Sequence, residues 1–168
     1  GDGNDTIQGV QEMDTIISGN WDVGGYANLD GGTGDDVISF GYSNNSTITG
    51  GAGNDTLIGF GANAIINGGD GDDTITGSKY NDTIIGGNGD DILDGRKGND
   101  TITGGIGGDT FVFGVGDGAD IITDATSDDC IKLNISKTNL YFLKNGNHLQ
   151  IRNRRSEEHT SELQSHLN

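Results

Sequence analysis

The chain has 168 residues, of which 32 are glycine and none is proline, and its formal net charge is −17. Up to residue 154 the acidic residues are 22 Asp and a single Glu, and Asp favours turns because its side chain competes for backbone hydrogen bonds. The charge argues against nucleic acid as a partner, no apolar stretch is long enough to span a membrane, and the single cysteine, Cys130, excludes an internal disulfide framework.

A nine-residue repeat begins at the N-terminus. Asp5 and Asp14, each followed two places later by Ile, set its step, and a looser stretch over residues 18–30 interrupts it. One extra residue, Phe40, falls between the first two of the later repeats. Those repeats are marked by an Asp with an apolar residue two places on, at Asp36, Asp55, Asp73, Asp82, Asp91, Asp100 and Asp109.

Each repeat joins a glycine turn to a short strand. Glycine adopts backbone conformations that are closed to other residues, so six residues make a turn, and the last three, such as residues 74–76, form a strand with one side chain inward. One inward apolar residue per repeat cannot form a core alone, whereas stacked repeats bury a continuous apolar column. The sequence therefore predicts an all-β fold over residues 1–112, a parallel β-roll (β-solenoid) with two nonapeptide repeats per coil.

The motif GGxGxD followed by x-apolar-x resembles the RTX (haemolysin-type) nonapeptide repeats. The resemblance implies a β-roll in which Ca²⁺ lies between turns stacked on the same side, held by Asp carboxylates and nearby backbone carbonyls. Ca²⁺ prefers six or more oxygen ligands, which suits such turns. The family also implies export by type I secretion machinery, so that the module is unfolded in the cytosol and folded outside, secreted or at the cell surface. We expect a monomeric module.

Alternate repeats fall on the same side of a two-repeat coil, and the two sides differ. The complete column consists of the turns that carry the full GGxGxD motif, which begin at Gly31, Gly50, Gly68, Gly86 and Gly104. The incomplete column consists of the turns that begin at Gly41, Gly59, Gly77 and Gly95. Ser46 and Ala64 take the carboxylate position in its first two turns, so only Asp82 with Asp100 is expected to bind there.

We expect about four ions on the complete column and one or two on the incomplete one. The Phe40 insertion threatens the stacking of the first two complete turns. The predicted carboxylate ligands are Asp36, Asp55, Asp73, Asp91, Asp109, Asp82 and Asp100. By the same resemblance, the predicted carbonyl ligands are Gly32, Gly34, Gly51, Gly53, Gly69, Gly71, Gly87, Gly89, Gly105 and Gly107.

After Phe111 the rhythm changes. Residues 113–154 resemble the haemolysin-type calcium-binding-related region that follows RTX blocks, and we expect them to cap the open edge of the last coil. They include a predicted hairpin over residues 141–151. Asp117, Asp120 and Asp124 are candidates for a further calcium site, and Cys130 is expected to be a small buried hydrophobic residue.

The C-terminal tail does not belong to this pattern. Residues 155–166 read RSEEHTSELQSH, which matches the translation of a common short-read sequencing adapter, so we exclude residues 155–168 as not native. The chain also starts on Gly1, and we interpret it as a fragment of a larger protein.

No set of residues typical of catalysis is visible, so the expectation is a calcium-binding module of a secreted bacterial protein such as a toxin, adhesin or exoenzyme, and not an enzyme. One alternative is the accessory tail of a secreted hydrolase or epimerase whose catalytic domain lies elsewhere. Another is a solenoid face that binds polysaccharide or ice, suggested by pairs such as Thr47 with Thr49 and Thr101 with Thr103. Those pairs are not expected to stack on neighbouring coils.

Overall fold

The computed structural model describes residues 5–17, 26–41, 45–61, 63–134, 140–145 and 148–153. The tail at residues 155–168 lies outside this part of the chain, as does most of the looser stretch. No helix that is long and apolar enough to cross a membrane occurs among the described residues. The strands are β1 (Asp5–Gln8), β2 (Thr15–Ile17), β3 (Ala27–Thr33), β4 (Val37–Phe40), β5 (Thr47–Ala52), β6 (Thr56–Gly59), β7 (Ile65–Asp70), β8 (Thr74–Thr76), β9 (Thr83–Asn88), β10 (Ile92–Asp94), β11 (Thr101–Ile106), β12 (Thr110–Phe113), β13 (Ala119–Ile122), β14 (Cys130–Leu133), β15 (Leu140–Asn145) and β16 (His148–Asn153).

The strands alternate between two sheets. One sheet has nine strands in the order β1-β3-β5-β7-β9-β11-β13-β16-β15, and the other has seven in the order β14-β12-β10-β8-β6-β4-β2. From β1 to β14 every pairing between neighbouring strands is parallel. Two repeats therefore make one coil, and the predicted parallel β-roll is confirmed.

The coils keep their register although their lengths differ. From the first pair of coils to the last, paired residues lie 22, 19, 18, 18, 18 and 20 positions apart, and the series is the same in both sheets. Residues 27–30, which the sequence pattern assigned to the looser stretch, open β3 in register with β1 and β5. Leu29 supplies the inward apolar side chain that makes this possible and is fully buried.

The core is a double column of apolar side chains between the sheets. A buried Ile or Leu contributes about 2 kcal/mol of transfer free energy. Each of these side chains packs against those of the coils before and after it, so the coils stabilise one another. The nine-stranded sheet contributes Leu29, Ile48, Ile66, Ile84, Ile102 and Ile122, and the seven-stranded sheet contributes Ile16, Ile38, Leu57, Ile75, Leu93 and Phe111.

Phe40, the extra residue, does not break the stacking. Its side chain is fully buried, and its ring lies against Gly59, where a Cβ would be 2.6 Å from the ring. Phe40 also pairs with Gly59 in the ladder between β4 and β6. The prediction that the insertion disturbs the stacking of the first two complete turns is therefore wrong, because a glycine in the next coil leaves space for the ring.

The strand ladders run across residue 112. β13 pairs in parallel with β11, and β14 with β12. β16 then joins β13 antiparallel, and β15 pairs with β16, so the predicted hairpin is confirmed. The division at residue 112 stays a prediction.

Cys130 is exposed, so its assignment as a buried hydrophobic residue is wrong. Ile131 and Leu133 of the same strand pack against the core instead, because alternate residues of a strand face opposite sides.

The threonines do not form a regular outer surface. Along the nine-stranded sheet Thr47 pairs with Ile65, and Ile65 pairs with Thr83. Two residues further along these strands, Thr103 pairs with Ile85 of the preceding coil. Thr83 does pair with Thr101, but Ile65 and Ile121 lie on either side of them, so threonine forms no continuous row along the sheet.

Candidate metal centre

The carboxylates of the complete column form one continuous hydrogen-bonded ladder. Each Asp is buried, with about 1% of its surface exposed. Its backbone N–H donates to Oδ1 of the Asp one coil later: Asp36 to Asp55 at 2.7 Å, Asp55 to Asp73 at 2.7 Å, Asp73 to Asp91 at 2.8 Å and Asp91 to Asp109 at 3.0 Å. One oxygen of each carboxylate is therefore fixed by the preceding coil.

The second carboxylate oxygen has no such partner. Oδ2 of Asp36, Asp55, Asp73 and Asp91 is buried and accepts no hydrogen bond. A buried acceptor without a partner costs about 1–3 kcal/mol, and more when it is charged. Four such atoms in successive coils indicate that a cation completes the arrangement.

These unpaired oxygens border a repeated cradle of backbone oxygens. A Cβ placed on Gly50 would overlap Oδ2 of Asp55 and lie 2.7 Å from the carbonyl oxygen of Gly68 in the next coil. The same pattern recurs at Gly68, where the neighbours are Oδ2 of Asp73 and the carbonyl oxygen of Gly86. Carboxylate and carbonyl oxygens are the ligands that Ca²⁺ prefers, so this donor set fits the ion.

The electrostatics of the column also favour a cation. Burial, followed by the charges of neighbouring Asp residues, raises the pKa of Asp73 from 3.8 to about 7, although the hydrogen bond from Asp55 lowers it. The same effects raise the pKa of Asp55 and that of Asp91 to about 6. A divalent cation between the coils would restore the charged form of all three.

The ten predicted glycines all have positive φ angles, from 102° to 144°. Side chains rarely adopt this conformation, and the coils also approach each other too closely for one: a Cβ on Gly51 would overlap the carbonyl oxygen of Gly32, and one on Gly69 that of Gly51. The glycine carbonyls are thus stacked along the column. Their role as ligands stays a prediction, as does that of the carboxylates.

The incomplete column repeats part of the ladder and has one unpaired oxygen. Ala64 donates its N–H to Oδ1 of Asp82, and Asp82 donates to Oδ1 of Asp100, both at 2.8 Å. Oδ2 of Asp82 is already satisfied by the N–H of Ser78 at 2.7 Å. Among the described residues of this column, only Asp100 keeps a buried Oδ2 without a partner, and burial together with Asp120 and Asp82 raises its pKa to about 8.

Three residues extend the columns beyond the predicted set. On the complete side Asp14 donates its N–H to Asp36 at 2.7 Å, and Asp109 donates to Asp129 at 2.9 Å. On the incomplete side Asp100 donates to Asp120 at 2.9 Å. Asp14 keeps the nine-residue step and could have been included, whereas the other two lie in a longer coil that hides them from the repeat.

The candidate set Asp117, Asp120 and Asp124 is not brought together as one site. Asp120 continues the incomplete column, whereas Asp124 accepts the N–H groups of Gly104 and Gly105 at 2.9 Å each. More generally, within the described ranges no three carboxylate, imidazole or thiol groups converge so that they could hold a metal. Backbone carbonyls would therefore have to supply much of any coordination shell.

A second ladder beside the complete column runs in the opposite direction. Asn54 donates its N–H back to Asp35 at 2.8 Å, Asp72 donates back to Asn54 at 2.9 Å, and Asp90 donates back to Asp72 at 2.9 Å. These side chains are exposed, so their charge is solvated. In each turn, the Asp of the complete column accepts a hydrogen bond from the coil before it, and the residue just before that Asp accepts one from the coil after it.

The fold and the site together define a parallel β-roll with stacked, carboxylate-bearing glycine turns. The family model of the RTX calcium-binding nonapeptide repeat (4 copies) matches residues 1–20, 27–39, 40–75, 67–102, 76–111 and 86–122. The chain therefore belongs to the RTX calcium-binding nonapeptide repeat family. A search of curated proteins finds no match.

Proposed function

We propose that this chain is a calcium-dependent structural module of a larger secreted bacterial protein, and that it folds when Ca²⁺ binds outside the cell. The observation that carries the proposal is the row of four buried carboxylate oxygens without partners at Asp36, Asp55, Asp73 and Asp91. A divalent cation would balance the charge of such a row, because neighbouring carboxylates repel one another in a buried setting.

The complete column would hold the ions, with Oδ2 of each Asp and the turn carbonyls as ligands. Bound Ca²⁺ would supply positive charge between coils and so join turns that otherwise repel. Because the site does not exist in the unfolded chain, the free energy of binding adds to the free energy of folding. The incomplete column would contribute at most an ion at Asp100, which alone among its described residues has an unpaired buried Oδ2.

Export by a type I system suits this design. The RTX family usually occurs in secreted proteins, and a chain that stays unfolded without calcium can be threaded through a channel. Folding would follow outside the cell, where calcium reaches the dissociation constants of extracellular calcium modules, about 0.1–1 mM. The module itself would not be catalytic, and any activity as a toxin, adhesin or exoenzyme would belong to another part of the parent protein.

The test is to follow the full chain by circular dichroism and size-exclusion chromatography in excess EGTA and then in about 1 mM calcium. We expect an expanded chain with little strand signal in EGTA and a compact strand-rich chain in calcium. Magnesium at the same concentration is the control and should not fold the chain, because Mg²⁺ retains its water ligands. A compact strand-rich chain in EGTA would refute the proposal.

A further inference from the structure

The incomplete column carries a basic cluster on an otherwise acidic chain. Of the four Lys and Arg residues in residues 1–134, three lie in two successive turns of this column: Lys79, Arg96 and Lys97. All three side chains are exposed. On a chain with a net charge of −17, this is a local reversal of charge.

These residues line one cleft. Its volume is about 430 Å³, and its lining includes Lys79, Arg96 and Lys97 together with Phe60 and Asp117. Three cations therefore face the carboxylate of Asp117, and the carboxylate of Asp94 lies close to it. Burial and the charge of Asp94 raise the pKa of Asp117, whereas Lys97 lowers it. Phe60 is 43% exposed and gives the cleft an apolar wall.

Arg96 holds a backbone conformation that suits glycine. Its φ is 65°, and in the complete turns the same position is a glycine with φ between 102° and 129°. The left-handed region costs a residue with a Cβ about 1–2 kcal/mol. Strain of this kind persists where the local structure or a function requires it. The local hydrogen bond from the Arg96 N–H to Asp94, at 2.9 Å, helps hold the turn but does not involve the side chain.

The charged ends of Arg96 and Lys97 remain available. Among the residues that the structure describes, neither makes a hydrogen bond or an ion pair through its side chain, although Lys97 acts on Asp117 through its charge. Lys79 lies over the ring of Tyr80, with Nζ 5.1 Å from the ring centroid, which orients it at the rim of the cleft. A guanidinium presents two parallel N–H groups to a carboxylate, and a lysine adds a point charge.

We propose that this cleft binds a small organic anion, a carboxylate attached to an apolar body, with Arg96 and Lys97 on the carboxylate and Phe60 against the body. The size is limited because the field of the whole chain repels an extended polyanion, whereas a small ligand senses the local charge. The cleft shares one turn with Asp100 of the incomplete column, so the calcium-loaded chain is the form in which to test it.

Benzoate is a suitable probe because it joins a carboxylate to an apolar ring. The full chain, uniformly labelled with ¹⁵N and loaded with calcium, is titrated with benzoate at constant ionic strength and followed by NMR. We expect saturable shifts confined to the two basic turns and the turn of Phe60. Arg96→Asn should weaken binding about tenfold, because one charged bidentate contact is lost. Asn tolerates the left-handed conformation, so the variant should fold.

Lys132→Gln is the matched control, because Lys132 is exposed, does not line the cleft and loses the same single charge. It should leave binding unchanged. Equal affinity in the parent and in Arg96→Asn would overturn the site, as would shifts that spread over the surface and follow the chloride concentration. Acetate that binds as tightly as benzoate would overturn the assignment to an organic anion with an apolar body.

Discussion

The complete and the incomplete column are built on the same coils, yet their turns end in different chemistry. Four of the buried carboxylate oxygens without a partner lie in the complete column and one lies in the incomplete column. The incomplete column keeps most of the backbone-to-side-chain ladder: Ser46 accepts the N–H of Ala27 at 3.3 Å, whereas Ala64 has no side-chain acceptor and interrupts it. The comparison shows that the two features are independent: the hydrogen-bonded ladder positions the coils in both columns, whereas the unpaired oxygens that would bind a cation lie mainly in the complete column.

The largest expected difference concerns the second position of the turn. In Gly69→Ala the new Cβ would overlap the carbonyl oxygen of Gly51 at a φ of 124°, so unfolding in calcium should become easier by about 4 kcal/mol. Ser78 has this position in the incomplete column, and Ser78→Ala removes the hydrogen bond that its Oγ accepts from Tyr80 at 3.1 Å and the side-chain bond that it makes to Asp82. That change should cost about 2 kcal/mol. Denaturant unfolding of both variants measures the difference, and equal losses would contradict the distinction between the columns.

The next difference concerns the carboxylates themselves. Asp73→Asn removes a charged Oδ2 that has no protein partner, so one calcium ion and about 3 kcal/mol of stability in calcium should be lost. Asp82→Asn should lose less, about 1 kcal/mol, because its Oδ2 is bound by Ser78. Calorimetric titration gives the number of ions, with Asp72→Asn as control, since Asp72 is exposed in the same turn. An unchanged ion count in Asp73→Asn would place the ions elsewhere.

Without calcium, pH should act through the same carboxylates. The pKa of Asp73 is raised from 3.8 to about 7, so the folded chain binds this proton more tightly than the unfolded chain. The contribution to stability is therefore complete below about pH 4 and is lost as the pH rises to about 7. Circular dichroism in EGTA should show more strand signal at about pH 4 than at about pH 8.

Asp100 of the incomplete column provides a second test of this pH dependence. Because the pKa of Asp100 is about 8, Asp100→Asn should remove the highest part of the transition and leave the lower part in place. Calcium binding should show the reverse dependence and weaken as the ligands are protonated. A strand signal in EGTA that does not change over this range would contradict the raised pKa values.

The smallest expected effect is a repair of the incomplete column. Arg96→Gly turns GRKGND into GGKGND, the full motif, and removes the strain of a side chain at a φ of 65°. We expect one more calcium ion at Asp100 and a gain of about 1 kcal/mol in calcium. Lys97→Gly is the control, because it removes a charge from the same turn and leaves Arg96 in place. If both variants gain an ion, charge and not the glycine decides the site.

Much of the architecture could be predicted from the sequence because the repeat encodes it locally. The glycine positions, the inward apolar residues and the strands on two faces all follow from a nine-residue step. The stacking of Asp36 with Asp55 across the Phe40 insertion could not be predicted, because it depends on the space above Gly59 in the next coil. That space is a property of two coils together.

The candidate site divides in the same way. The column of Asp residues follows from the step, but the contrast between Asp82 and Asp100 does not, since it depends on whether a neighbouring N–H reaches Oδ2. Asp129 is not predicted, and Asp120 is predicted only for a separate site, because the last described coil is longer than the 18-residue coils before it. The extra length also shifts the strand phase, so that Cys130 faces outward.

Unequal coil lengths have a practical meaning for protein engineering. Successive partners lie 22, 19, 18, 18, 18 or 20 residues apart, yet strand still meets strand in register. Extra residues are accommodated within a coil, whereas the distance from one coil to the next is set by the backbone hydrogen bonds between paired strands. A foreign peptide inserted in a turn between two strands could therefore be displayed at a fixed height on the scaffold.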